Sequence, residues 1–201
     1  MLVRRSVWSV LASMSLMACG ASSEEVRGLV RDSPLDVSML AVTDVTSQGA
    51  YSDHVGEFRF MAREGGLLVV YFGYTNCPDL CPTTLAELRS ARKRLGDDGA
   101  RVDLAMVTVD PERDTPEVMN GFLASFTDQF HALRPSTLDE LGTAENAFLA
   151  SSNIVRSPTG EIEVSHTANA YVVDEAGRVI VEWPFGHGVD SMENDLRILL
   201  G

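Results

Sequence analysis

The amino-acid sequence predicts an α/β domain in which helices flank a central β-sheet. Residues 67–72 and 102–109 are largely apolar runs with the length and composition of buried strands. Between them, residues 84–95 have the periodicity of a helix. A strand, a helix and a second strand at this spacing form a βαβ unit, so we expect the two strands to be parallel and joined by a right-handed crossover.

Length and composition restrict the class of protein. A chain of 201 residues is long enough for one well-filled core and short for two, so we expect a single domain. Its 45% hydrophobic and 22% charged residues are typical of a folded protein. The net charge of −13 argues against nucleic acid as a partner, because nucleic-acid recognition needs a basic surface.

The N-terminus has the features of an export signal. Arg4 and Arg5 precede an apolar stretch, residues 7–18, which is short for a helix that spans a bilayer. We therefore interpret residues 1–18 as a signal peptide.

Cys19 follows this stretch in the sequence Leu16-Met17-Ala18-Cys19, which resembles a bacterial lipobox. Cleavage before the cysteine leaves Cys19 to carry lipid, and lipid chains hold a protein at a membrane surface. We expect a lipoprotein of the bacterial cell envelope, with its domain on the periplasmic or extracytoplasmic side. An ordinary cleavage site beside an unmodified Cys19 is the alternative. Residues 19–36 are polar and contain proline, so we interpret them as a tether to a domain of residues 37–201.

Short β-elements and a capped helix surround the βαβ unit. We expect a strand at residues 39–43 and an N-terminal β-hairpin at residues 47–60, with residues 57–61 as its second strand. Residues 110–116 combine two prolines with three acids and are interpreted as a solvated loop rather than a metal site. A helix follows from Pro116 to about residue 126, because Thr115 is a good N-cap and proline fits the first helical position.

The sequence of the last third of the chain predicts further strands that join the same sheet. The expected elements are a helix at residues 138–149 capped by Thr137, a surface hairpin at residues 154–164, strands at residues 170–173 and 178–183, and a helix at residues 191–200. If strand 170–173 runs antiparallel to the central strand, it begins at the sheet edge where the central strand ends. His166 then faces Cys77 and Cys81.

The remaining histidines are given structural roles. His54 lies near the turn of the N-terminal hairpin, and we expect it to be solvated or to stabilise the turn. His131 lies in an apolar context and is expected to pack. His187 lies in a glycine-containing loop and is expected to face solvent.

Cys77 and Cys81 lie at the turn from the central strand into the helix. Cysteines four apart near a helix start have Cα atoms about 6 Å apart, so both sulfurs can reach one metal ion, and the same separation also permits a disulfide. The helix start is expected to lower the thiol pKa. A complete four-ligand zinc site is not expected, because no second pair of ligands follows a zinc pattern. In an oxidising compartment the pair is structural, redox-active or metal-bound.

Three segments together resemble the SCO/SenC copper-binding proteins: residues 73–82, 109–116 and 165–167. The resemblance covers roughly the last three quarters of the chain and implies a thioredoxin-like, three-layer fold with a central mixed sheet. It implies that Cys77, Cys81 and His166 bind one copper ion, as Cu(I) or Cu(II). Asp79 matches an acid that the family commonly has between the cysteines. Two soft thiolates and one imidazole suit three-coordinate Cu(I).

The resemblance also implies a function. Members deliver copper to the binuclear copper centre of cytochrome c oxidase, so the expected partners are the copper-bearing oxidase subunit and other copper chaperones. The alternative is a thiol-disulfide oxidoreductase whose redox-active pair is Cys77 and Cys81. Dedicated oxidoreductases usually carry two rather than three residues between their cysteines, which disfavours this alternative.

Overall fold

The computed structural model describes residues 25–53 and 55–201, and its centre is an eight-stranded mixed β-sheet. Its strands are β1 (Leu35–Asp36), β2 (Ala41–Asp44), β3 (Gly56–Arg59), β4 (Leu67–Gly73), β5 (Val102–Thr108), β6 (Phe130–Leu133), β9 (Ala170–Val173) and β10 (Arg178–Trp183). They lie side by side in the order β1-β10-β9-β4-β5-β6-β2-β3. The remaining strands, β7 (Ser152–Arg156) and β8 (Ile162–His166), form a separate two-stranded hairpin, as expected.

The predicted βαβ unit is confirmed. β4 and β5 are parallel in a continuous register from Leu67 opposite Val102 to Gly73 opposite Thr108, and every residue of both strands is buried. The connecting helix, α1 (Leu80–Arg94), begins before the predicted start, so Cys81 lies in its first turn.

The return of the chain to the sheet is also confirmed. β9 runs antiparallel to β4, with Ala170 opposite Tyr71. β10 then pairs antiparallel with β9, with Trp183 opposite Ala170. The start of β9 and the end of β10 therefore lie at the edge of the sheet where β4 ends.

Helices cover both faces of the sheet, which confirms the three-layer prediction. They are α1, α2 (Pro116–Ala124), α3 (Leu138–Phe148) and α4 (Val189–Leu200). α1 and α4 pack together, and the first turn of α1 lies over Tyr71. Successive strand residues point to opposite faces. Phe72 therefore faces the other layer, where its ring lies 5.4 Å from the ring of Phe148 on α3.

Both predicted caps are present. The Thr115 side chain accepts a hydrogen bond from the backbone N–H of Val118, and the Thr137 side chain accepts one from Glu140. These bonds satisfy backbone donors at the first turns of α2 and α3, which have no partner within the helix.

The N-terminal hairpin has other bounds than expected. Its strands are β2 and β3, while residues 49–51 form a 3₁₀ turn rather than part of a strand. β6 was not expected at all. It is a fully buried strand of four residues that is parallel to β5 and also contacts β2.

The expected tether needs a correction over residues 25–36. The backbones of Leu29 and Glu182 exchange two hydrogen bonds of 2.9 Å, and β1 pairs with β10. Backbone N–H groups at Arg27 and Gly28 also donate to the carboxylate of Asp195. We call residues 25–36 the N-terminal strap. The strap is part of the domain, because its backbone pairs with the edge strand β10 and donates hydrogen bonds to the buried carboxylate of Asp195.

The signal peptide, Cys19 and His54 lie outside the described residues, and the expectations for them stay predictions. Among the residues that the structure describes, no helix combines the length and the apolar character needed to cross a membrane.

Candidate metal centre

Cys77, Cys81 and His166 converge at the edge where β4 ends and β9 begins. Each offers one ligand atom, and these atoms all lie within 4.8 Å of one another. Both cysteines are buried free thiols, and His166 is half-buried. We call these three residues the Cys-Cys-His cluster. In the described part of the chain it is the only group of at least three such side chains close enough to hold a metal ion.

Local backbone geometry positions the two thiols. The Cys77 N–H donates to the carbonyl of Tyr74 at 3.3 Å, which closes a turn after β4. The Cys81 N–H, in the first turn of α1, donates to the Cys77 sulfur at 3.3 Å. Gly73 makes room for this arrangement, since a Cβ there would lie 3.1 Å from the Cys81 sulfur and 2.7 Å from the Tyr71 ring.

His166 is oriented by a backbone carbonyl. Its Nδ1 lies 2.9 Å from the carbonyl oxygen of Thr167, and its Nε2 lies 3.8 Å from the Cys81 sulfur. Because a carbonyl oxygen can only accept, this contact requires a proton on Nδ1, and in the neutral imidazole the lone pair is then on Nε2. That is the tautomer a metal-binding imidazole needs, and the orienting group is one that the sequence could not identify.

The base of the β7–β8 hairpin fixes Thr167. Its N–H donates to the Ser151 carbonyl at 2.9 Å, and its hydroxyl accepts from the Ser151 N–H at 3.0 Å. A polar surface cavity of about 290 Å³ lies here, lined by Ser151, Ser152, Asn153, Ser165, His166 and Thr167. The cluster is thus approached from the His166 side, while the Cys81 sulfur lies in the core.

Aromatic rings surround the imidazole. Tyr71 and Tyr74 present their rings edge-on to His166, with centroids 6.1 and 5.8 Å away. The guanidinium of Arg113 lies over the Tyr74 ring at 5.8 Å, a cation–π contact. Aromatic rings therefore line the site beside the imidazole, in contrast to the polar surface cavity.

The acidic segment 110–116 needs a correction, because two of its acids are buried rather than solvated. Asp114 accepts hydrogen bonds from the Thr75 N–H, from the Thr75 hydroxyl at 2.5 Å and from the Thr108 hydroxyl at 2.6 Å. Asp110 pairs with Arg113. Burial raises the pKa of Asp114, although these hydrogen bonds oppose the rise. The segment fixes the loop that carries Cys77, a role that sequence reasoning missed.

Asp79 lies at the start of α1 and is exposed. Its carbonyl accepts from the Thr83 N–H at 3.1 Å, and its carboxylate is 3.4 Å from the Thr83 hydroxyl. It lies beside the Cys-Cys-His cluster in sequence but does not join it in space.

The expected lowering of the thiol pKa is wrong for Cys81. Burial, followed by the neighbouring Cys77 sulfur, raises the pKa of Cys81 to about 12. Desolvation disfavours the thiolate more than the helix start favours it. A metal ion that binds Cys81 must therefore displace a proton.

The other described histidines are held by carboxylates. The expected packing role of His131 is confirmed, since its Nδ1 lies 2.7 Å from Asp44 and its ring stacks on Tyr51. The solvent-facing prediction for His187 is wrong. Its side chain is only 8% exposed, with Nε2 3.2 Å from Asp195 and its ring stacked on Trp183. Both lie outside the Cys-Cys-His cluster.

Comparisons with known proteins identify the family of the chain. The family model described as SCO1/SenC matches residues 49–201. The mitochondrial SCO2 homolog of Danio rerio is 30% identical over 150 residues, which cover 73% of this chain and 51% of that protein. The SCO2-like protein RP587 of Rickettsia prowazekii is 30% identical over 116 residues, covering 57% and 56%. The match thus spans about half the length of these curated relatives.

Solved structures show the same fold. Apo Sco1 from Thermus thermophilus is 31% identical, with a TM-score of 0.71 over 89% of this chain and 99% of that one. Copper-bound ScoI from Bradyrhizobium japonicum is 26% identical, with a TM-score of 0.64 over 83% and 97%. A family match over most of the described domain, together with these likenesses, shows that the chain belongs to the SCO1/SenC family.

Proposed function

We propose that this protein is a copper metallochaperone that binds one copper ion through Cys77, Cys81 and His166. It delivers the ion to the binuclear copper centre of cytochrome c oxidase during assembly. The observation that carries the proposal is the convergence of two free thiols and one correctly oriented imidazole within 4.8 Å. The copper bound to the Bradyrhizobium japonicum relative supports the choice of metal.

The donor set fits copper as cargo. Two thiolates and one imidazole match the soft ligands and low coordination number that Cu(I) prefers. The cluster offers three donors, which leaves a position where a ligand from the acceptor can attack. Entry of the ion displaces the Cys81 proton, whereas His166 is already held with its lone pair toward the sulfurs.

We also propose that the domain lies outside the cytoplasmic membrane of a bacterium, attached by lipid on Cys19 after removal of residues 1–18. The proposed partners are the copper-bearing subunit of the oxidase and other copper chaperones. Mass spectrometry of the membrane fraction tests the anchor. Lipid on Cys19, and loss of membrane attachment in Cys19→Ala, support it, whereas an unmodified Cys19 refutes it.

Copper binding and delivery are tested with the reduced full chain. Wild type and the control Cys19→Ala should each bind one copper ion, whereas Cys77→Ala and Cys81→Ala should lose tight binding. The loaded chain, mixed with the copper-free domain of the copper-bearing oxidase subunit, should then transfer its ion. A wild-type chain that binds no copper, or that keeps it in the presence of this acceptor, contradicts the proposal.

A second candidate is a thiol-disulfide oxidoreductase that acts on exported proteins or on the oxidase cysteines. The hydrogen bond from the Cys81 N–H to the Cys77 sulfur favours it, because such a bond stabilises an attacking thiolate. Burial of Cys81 disfavours it. Reduction of a disulfide substrate that needs both cysteines but is unaffected by His166→Ala would favour the oxidoreductase, and this activity does not exclude copper delivery by the same chain.

A further inference from the structure

A buried hydroxyl without a hydrogen-bond partner lies behind the Cys-Cys-His cluster. Tyr71, on β4, is fully buried, and its hydroxyl has no partner among the described residues. The hydroxyl of Thr84, on α1, is likewise buried without one. Buried polar groups are rarely left unpaired, so two of them beside a candidate metal site need an explanation.

The Tyr71 ring lies against the Cys81 sulfur. Gly73 has no Cβ, but a Cβ added there would lie 2.7 Å from the Cε1 ring carbon of Tyr71 and 3.1 Å from the Cys81 sulfur. Cε1 is bonded to the carbon that carries the hydroxyl. The same ring meets His166 edge-on at 6.1 Å. Tyr71 therefore lies next to two of the three residues of the cluster, on the core side.

Thr84 belongs to the same group. It lies three positions after Cys81 on α1, and side chains at this spacing share a helix face. Thr84 and Cys81 are also both close enough to the Tyr71 hydroxyl to influence it electrostatically.

The Tyr71 hydroxyl and the Cys81 sulfur match as donor and acceptor in only one state of the sulfur. A phenol hydroxyl donates a hydrogen bond, whereas a neutral thiol is a weak acceptor. A thiolate carries a charge and accepts such a bond far better.

We propose that Tyr71 is a positioning residue whose hydroxyl donates a hydrogen bond to the Cys81 sulfur once that sulfur binds a metal as a thiolate. This inference rests on the proposed binding of copper by Cys81. A hydrogen bond to a ligating sulfur withdraws electron density from it, which weakens its donation to the metal and raises the reduction potential of the site. Tyr71 then keeps the ion from being held too tightly for transfer.

Tyr71→Phe tests the inference in the full chain loaded with Cu(II), with Tyr171→Phe as the matched control. Tyr171 is an equally buried tyrosine on β9, but it packs against Phe72 and Phe148 on the opposite face of the sheet. We expect Tyr71→Phe to move the thiolate-to-copper charge-transfer band to longer wavelength and to lower the Cu(II)/Cu(I) potential. The control should change neither. An unshifted band and potential in Tyr71→Phe with one copper ion bound overturn the inference.

The reduced, copper-free chain gives an independent readout. Since the hydroxyl has no partner in that state, Tyr71→Phe should leave the unfolding midpoint unchanged or raise it. A fall in the midpoint larger than that of Tyr171→Phe means that the hydroxyl is already bonded, and this also overturns the inference. If the wild type binds no copper, the proposed function fails instead, so the two failures are distinguishable.

Discussion

His166 and His187 lie near the same edge of the sheet but have opposite surroundings. His187 is stacked on Trp183 and paired with the buried carboxylate of Asp195. His166 is paired with a backbone carbonyl and faces the Cys81 sulfur. We call the first region the Asp195 anchor, formed by Asp195, Trp183, His187 and the strap residues that bond to them.

The difference teaches what separates a structural histidine from a candidate ligand. At the Asp195 anchor, one carboxylate accepts hydrogen bonds from the Trp183 indole and from the backbone of Arg27 and Gly28, so the imidazole is one of several groups satisfied by it. At the Cys-Cys-His cluster, the carbonyl fixes the ring and leaves one nitrogen free of a charged partner. That nitrogen is the one directed at the sulfurs.

The largest effect on stability should come from Asp195→Ala. The change leaves several buried donors without an acceptor, so we expect a loss of about 3–5 kcal/mol in the free energy of unfolding. Urea denaturation measures it. Copper affinity should not change, because the anchor contributes no ligand.

Asp190→Ala is the control for this prediction. Asp190 lies on the same helix with its side chain 82% exposed, and its ion pair with Arg94 is a surface pair. Such pairs contribute little to stability. If Asp195→Ala reduced the free energy of copper binding as much as the free energy of unfolding, the Asp195 anchor and the Cys-Cys-His cluster would not be independent.

The second largest effect on stability is a pH dependence that arises from the thiol of Cys81. Its pKa is about 12 in the folded chain against an ordinary value of 9.0, so the folded state holds the proton more tightly than the unfolded state. The associated stability is complete below about pH 9 and is lost as pH rises toward 12, by at most about 4 kcal/mol. Urea denaturation of the reduced, copper-free chain between pH 8 and 11 measures this loss.

Cys81→Ser is the control, because a serine hydroxyl does not titrate in this range. Burial also raises the pKa of Tyr51 and Tyr171 to about 12, but both proteins contain these tyrosines. The difference between the two stability curves therefore reports Cys81 together with the part of the raised pKa of Tyr71 and Tyr74 that Cys81 causes. Parallel curves from pH 8 to 11 would show that burial does not keep this thiol neutral.

A smaller effect is expected from Asp114→Asn. The amide keeps one accepting oxygen where the carboxylate has two, so the loop that carries Cys77 is held less firmly. Copper affinity should fall by about 10-fold, as for other residues that support ligands without binding the metal. Glu112→Gln is the control, since Glu112 lies in the same segment with its side chain 76% exposed. Equal affinity in both variants would exclude Asp114 from positioning the site.

Sequence reasoning located the elements whose signal is local. β4, α1 and β5 follow from apolar runs and helical periodicity, and the meeting of His166 with the cysteines follows from the antiparallel direction of β9. Length mattered, because the apolar runs at residues 67–72 and 102–109 are long enough for a buried strand but shorter than an ordinary helix.

The missed features depend on distant parts of the chain. The strap holds to Asp195, 168 positions from Arg27, through backbone groups that carry no sequence pattern. β6 has only four residues, too few to show a period. The positions of His187 and Asp114, and the raised pKa of Cys81, result from burial by elements that are remote in sequence.

The copper affinity of His166→Ala, beside His187→Ala in the reduced full chain, tests the central contrast most directly. We predict that His166→Ala weakens copper binding by more than the roughly 100-fold that supporting residues can cost, because it removes a ligand. His187→Ala should keep wild-type affinity while lowering the unfolding midpoint. Wild-type affinity in His166→Ala, or an equal loss in both variants, would contradict the assignment of His166 to the metal centre.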